Sequence, residues 1–104
     1  MATNLQINKE TTGEILTVHL IGELNVKTSS ELEEDLTKSI VGIKKLVLNF
    51  AEVEYISSAG LRVLLAMEKA MRRQQGSMTL RNVNPAVKEI IRQAGFLQIM
   101  RIEE

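Results

Sequence analysis

Apolar and polar residues alternate over LQINKE (5–10) and again over EILTVHLIG (14–22), which sets Leu16, Val18 and Leu20 on one face. A period of two predicts strands, and the turn-rich Thr11-Thr12-Gly13 between them predicts a hairpin. The period then changes. In TSSELEEDLTKSI (28–40), Leu32, Leu36 and Ile40 recur every four positions, a helical stripe. Thr28 with Glu31 three residues later has the form of a capping box, and acidic residues fill the turns that follow. KLVLNF (45–50) is a short apolar run of the kind found in strands buried on both faces.

A second helix is predicted from Ala59 to Gln75. Leu61, Leu64, Leu65 and Met71 face inward, while Val63, Ala66, Met67 and Ala70 widen the apolar side. Gly76 is expected to close this helix in the left-handed conformation. MTLRNV (78–83) reads as a strand. Asn84 then caps a third helix with Pro85 at its first position, Val87, Ile90, Ile91 and Ala94 inward, and Gly95 at its end. LQIMRI (97–102) has the pattern of a final edge strand. The order β-β-α-β-α-β-α, with a possible last strand, predicts an α/β fold. Its sheet of four to five strands is mostly parallel or mixed, with three main helices, in a single domain spanning residues 1–104.

Composition removes several classes of function. The 104 residues include 13 basic and 13 acidic side chains, so no net field attracts a polyanion. Phe50, Tyr55 and Phe96 are too few for a base-stacking surface, and no nucleic-acid partner is expected. Lys69, Arg72 and Arg73 cluster where a helix is predicted to end, a place where cations suit the macrodipole. There is no cysteine, no phosphate-cradling glycine loop and no His/Cys metal set, so neither a metal nor another cofactor is expected. No apolar run reaches membrane-spanning length and the start MATNLQINKE is polar, which fits a cytoplasmic protein without a membrane partner.

The chemistry concentrates in VEYISSAGLR (53–62). Ser57 and Ser58 fall where a strand leaves the sheet and a helix begins, the usual place for ligands and chemistry in open α/β sheets. Serine is among the best helix caps. A nucleophile reading fails, because ISSAG has isoleucine where the first glycine of Gly-x-Ser-x-Gly belongs. The single histidine, His19, lies mid-strand, so no catalytic residue is assigned and no enzyme is expected. A phosphate acceptor is physically consistent: a helix N-terminus tolerates a dianion, and Arg62, four residues after Ser58, is within reach of it. Capping and acceptance are compatible, and both remain open.

GELN (22–25), LVLNF (46–50), YISSAGLRVLL (55–65) and NPAVKEIIRQAGF (84–96) together resemble the bacterial anti-sigma factor antagonists, single-domain members of the STAS family. The resemblance runs in register along nearly the whole chain. It implies that the unphosphorylated protein binds an anti-sigma factor that is also a serine kinase of the histidine-kinase-like ATPase superfamily, freeing a sigma factor. It implies too that phosphorylation of one serine ends the interaction and that a PP2C-type phosphatase restores it. Matching Gly60-Leu61 to the family's Gly-Leu places the acceptor on Ser58, with Ser57 the alternative.

Two rival readings differ in class: a non-switched STAS scaffold within a transport or sensory complex, and a small-ligand or nucleotide-binding STAS domain. Ser57, Asn25 and Asn49 stand where aspartates are common in the family, which would leave three neighbours of Ser58 neutral. The partner surface is expected around Gly22, Glu23, Asn25, Thr28, Ser29, Ser57, Ser58, Gly60 and Arg62, on a protein that is monomeric when free. Met67 and Met71 read as core filler.

Overall fold

The computed structural model describes residues 4–103. β1 (Leu5–Thr12) and β2 (Ile15–Leu24) pair antiparallel from Thr12 with Ile15 outward, so the hairpin turn is Gly13-Glu14. The chain continues through α1 (Val26–Ser39), β3 (Lys45–Ile56), α2 (Ser58–Arg73), β4 (Ser77–Arg81), α3 (Pro85–Gln93) and β5 (Arg101–Glu103). The strands lie in the order β1-β2-β3-β4-β5, and every pair after the first is parallel. This is the mixed five-stranded sheet with three helices that the periodicities call for.

Alternation and helical stripes meet in one core. Leu16, Val18 and Leu20 of β2, Leu46, Leu48 and Phe50 of β3, and Met78 and Leu80 of β4 join Leu32, Leu36, Leu64, Met67, Met71, Val87 and Ile91 from the helices. α1 and α2 pack against each other, α2 also lies on β3 and β4, and α3 packs beside β3. Each such side chain, fully removed from water, contributes about 1.5–3 kcal/mol before conformational entropy is subtracted.

Several boundaries differ from the sequence pattern, each for a local reason. α1 begins three residues earlier than predicted. Asn25 Oδ1 accepts the Thr28 N–H at 2.9 Å, and Thr28 Oγ1 accepts the Asn25 N–H at 2.9 Å. The capping box is therefore Asn25–Thr28 rather than Thr28–Glu31, and no acidic residue lies in the first turn. β3 runs six residues beyond Phe50. A register irregularity opposite His19–Ile21 lets Ala51 and Glu52 both face solvent, and that irregularity erases the alternation there. The left-handed residue after α2 is Gln75 at φ +62°, not Gly76. Gly76 is required for space instead: a Cβ there would lie 2.7 Å from the Lys44 carbonyl oxygen and 2.8 Å from Met71 Cε. Ala94 caps the C-terminus of α3 and is exposed rather than inward. Of LQIMRI, only Arg101 and Ile102 join the three-residue edge strand β5.

Candidate functional site

The ends of β2 and β3 set the site. Leu24 and Ile56 are partners in the parallel register, and the Ser57 N–H donates to the Leu24 carbonyl at 2.8 Å. The next residue on each strand, Asn25 and Ser57, caps α1 and α2 respectively. Two helix N-termini therefore start side by side at the C-terminal ends of two neighbouring interior strands, and both present the positive end of their dipoles there.

The two serines divide the work. Ser57, at φ −90° and ψ 173°, accepts the Gly60 N–H on Oγ at 3.2 Å and the Leu61 N–H on its carbonyl at 3.0 Å. Ser58 is the first residue inside the helix; it is exposed, and its hydroxyl bonds to no described residue. The N–H groups of the first turn have no partners within the helix, and α2 has no acidic residue in that turn. A group added to Ser58 Oγ thus meets solvent and donors rather than carboxylates of its own helix. The cap itself stays intact.

Gly60 explains the glycine of the SSAG stretch. A Cβ at this position would fall 2.7 Å from Ile56 Cγ1 and 3.0 Å from Leu24 Cβ, both on buried side chains. The first turn of α2 sits directly on the strand ends because that Cβ is missing. Gly60 is buried, so what it supplies is the space beneath the turn that carries Ser58 rather than exposed surface.

The other predicted site residues separate into groups. Glu23 and Asn25 are half-buried on the rim, and Glu23 stands opposite Tyr55 in the register. Gly22 is half-buried at φ +126°, with its α-carbon hydrogen side facing the Asn4 carbonyl, where a Cβ would lie only 2.2 Å away. Its role is to admit the close passage of β1. Thr28 and Ser29 were expected on the partner surface, but each is 1 % exposed. Thr28 Oγ1 donates to the Glu23 carbonyl at 2.7 Å and is consumed by the turn. Ser29 Oγ is buried without a partner. Both side chains therefore offer almost no surface of their own, although Ser29 lies at the floor of the groove between the helix starts. Arg62 is exposed one turn beyond Ser58.

Asn49 does not neighbour Ser58. It lies opposite His19 and Arg81, seven strand positions before Ile56, a separation of roughly 23 Å at about 3.3 Å per residue. Its Oδ1 accepts the Ala51 N–H at 2.9 Å and an Asn82 Nδ2 hydrogen at 3.3 Å, bracing the irregularity in β3. His19 sits in the same row, with Nε2 2.9 Å from Glu52 Oε2. Among the described residues no three His, Asp or Glu side chains gather to hold a metal.

Two large side chains stand exposed beside the site. Val26 is 75 % exposed at the start of α1, and Tyr55 is 47 % exposed just before the serines. Between the two helix starts runs a shallow groove of about 360 Å³, lined by Val26, Ser30, Glu33, Ala59 and Arg62. Val26 follows a residue expected to lie in a loop, so no periodicity marked it. Tyr55 ends a run read only as a strand.

The family model described as STAS domain matches residues 6–104. The protein named "Putative anti-sigma factor antagonist BtrV" from Bordetella bronchiseptica is 37 % identical over 84 residues, covering 80 % of this chain and 72 % of that one. An anti-sigma F factor antagonist of Paenibacillus polymyxa is 32 % identical over 101 residues, 95 % of this chain and 86 % of that one. Among solved structures, the anti-sigma factor antagonist SpoIIAA in its unphosphorylated form matches with a TM-score of 0.77 at 18 % identity, covering 95 % of this chain and 88 % of that one. Its phosphorylated form, from Bacillus, matches with a TM-score of 0.75 at 19 % identity, covering 95 % and 92 %. At such identities the two structures speak to the fold.

Proposed function

The chain belongs to the STAS domain family, within its group of anti-sigma factor antagonists, and we propose that it is a protein-binding module switched by phosphorylation at Ser58. In its unmodified form it binds an anti-sigma factor and so frees a sigma factor. That anti-sigma factor is a serine kinase of the histidine-kinase-like ATPase superfamily, which modifies Ser58 and thereby ends the contact. A PP2C-type phosphatase reverses the modification. The setting is the cytoplasm; among the described residues no helix is long and apolar enough to cross a membrane.

The observation that carries this reading is the division between the serines. Ser57 Oγ is engaged in the cap, whereas Ser58 Oγ is exposed without a bond to any described residue. A phosphate on Ser58 adds close to two negative charges and three acceptor oxygens. The dipole and unpaired N–H groups of the helix start accommodate that charge, so the fold stands. The changed surface is the patch around Glu23, Asn25, Val26, Tyr55, Ser58 and Arg62. A regulator seated there would meet a bulky dianion where a hydroxyl had been. The solution of SpoIIAA in both unphosphorylated and phosphorylated forms, on this fold, supports such a switch.

The test is to incubate the chain with its kinase, ATP and magnesium and to map the modified peptide by mass spectrometry. Phosphate on Ser58, with loss of the complex, is the expected result. Phosphate only at distant residues would defeat the proposal; phosphate on Ser57 alone would move the site while keeping the mechanism.

A further inference from the structure

The predicted basic cluster at the end of α2 divides in the structure. Arg72 turns toward the body of the protein: its Nε bonds the buried Glu68 carboxylate at 2.7 Å and its Nη2 bonds the Ile99 carbonyl at 3.2 Å. Lys69 and Arg73 do not follow it. Both are exposed, as is Arg62, and none of the three has a hydrogen bond or ion pair to a described residue. Glu68, the only acid in α2, is buried and already paired. The outer face of α2 therefore carries positive charge alone.

These cations are aligned. At 100° per residue, Ser58, Arg62, Leu65, Ala66, Lys69 and Arg73 fall within a sector of about 100°, along a ridge of roughly 22 Å. Leu65 and Ala66, both half-buried, form the floor of a shallow apolar groove between Arg62 and Lys69. The helix dipole accounts for Lys69 and Arg73 near the C-terminus, but Arg62 near the N-terminus gains nothing from it. An apolar floor flanked by cations at both ends, in a chain of zero net charge, is complementary to an amphipathic helix of the opposite sign. Its leucine-like residues would rest on Leu65 and Ala66, and its carboxylates would reach Arg62, Lys69 and Arg73.

We infer that the outer face of α2 from Arg62 to Arg73 is a docking surface for an acidic amphipathic helix of a partner protein. Ser58 lies in the same sector at the N-terminal end of the ridge, so a phosphate there competes with the incoming carboxylates. Only this last link rests on the proposed function; the docking itself does not.

The experiment uses the whole isotope-labelled chain and a synthetic helical peptide of about 16 residues, with leucines on one face and glutamates flanking them. Amide shifts confined to residues 62–73 are expected, fading as salt is raised from about 50 to 300 mM. The triple charge reversal Arg62→Glu, Lys69→Glu, Arg73→Glu should weaken binding at least about tenfold, since each exposed pair contributes up to a few-fold. Reversal of Lys27 and Lys38, off this ridge, should leave it unchanged, and circular dichroism verifies that each variant is folded. Equal binding of a glutamate peptide lacking leucines, or shifts spread over Lys27, Lys38 and Lys45, would overturn the inference by reducing it to general charge attraction. So would no binding at all, or a salt-sensitive dimer whose shifts map to α1 and α2, because the occupant would then be a second copy. Mapping of phosphate to Ser58 is independent of every one of these outcomes.

Discussion

Gly60→Ala tests how the first turn of α2, which carries Ser58, is held on the strand ends. The added methyl group would sit 2.7 Å from Ile56 Cγ1 and 3.0 Å from Leu24 Cβ, and neither neighbour is the free end of a flexible chain: Ile56 is 1 % and Leu24 0 % exposed. Overpacking a tight core by one methyl costs about 1–3 kcal/mol. Alanine recovers part of that loss, up to about 1 kcal/mol, through its better helix propensity. The net expectation is destabilisation by about 1–2 kcal/mol. For a domain of this size each kcal/mol lowers the melting temperature by about 4–8 °C. Circular dichroism melts and urea titrations of the variant beside the parent measure this directly. The first turn of α2 should also lift from the strand ends, so phosphorylation of Ser58 should slow even at temperatures where the variant is folded. A variant that melts at or above the parent would refute the contact as the reason for glycine, and the SSAG pattern would need another explanation.

Ser57→Ala removes the cap of α2 and should cost about 1 kcal/mol in urea unfolding; Ser58→Ala, exposed and unbonded, should change stability by less than about 0.5 kcal/mol while abolishing phosphate incorporation. Ser58→Asp should weaken binding to the anti-sigma factor in a pull-down titration, and full retention of the complex would favour the non-switched scaffold. Leu64→Ala, at 0 % exposure, should cost about 2–5 kcal/mol and lower binding only as far as it lowers the folded fraction. Asp35 supplies a pH test. Burial alone would raise its carboxyl, but hydrogen bonds from Lys9 and Ser39, with the charges of Lys9 and Lys38, outweigh that and hold it below its ordinary value of 3.8. Its stabilisation is therefore full above the unfolded value and lost as pH falls through the folded one. Asp35→Asn should flatten the acid limb of the stability curve, and parallel curves for the two proteins would contradict this.

The architecture was legible wherever burial imposes a period. Leu16, Val18 and Leu20 and the four-residue spacing of Leu32, Leu36 and Ile40 all mark core faces. Residues that answer to backbone geometry were not legible. Thr28-x-x-Glu31 and Asn25-x-x-Thr28 both satisfy the demands of a capping box, and only the end of β2 at Leu24 decides between them. That choice also buries Thr28 and Ser29. Gly76 reads as the left-handed residue because glycine takes positive φ freely, yet Gln75 adopts that conformation and Gly76 is needed where the Lys44 carbonyl passes close. Asn49 resembles a site residue in sequence, yet the length of β3 carries it away from the serines. The motif marks Ser58 as the candidate acceptor, but that its hydroxyl is exposed and unbonded while Ser57 Oγ caps Gly60 is a fact of three dimensions.

The most direct measurement compares the affinity of the anti-sigma factor for two preparations of the same chain by calorimetry. One is unmodified and the other carries phosphate on Ser58 alone, with matching far-ultraviolet circular dichroism showing that both are folded. Saturable binding of the first and none of the second is the predicted outcome. Equal heats from both would contradict the account, because the exposed hydroxyl would then have no say in who docks.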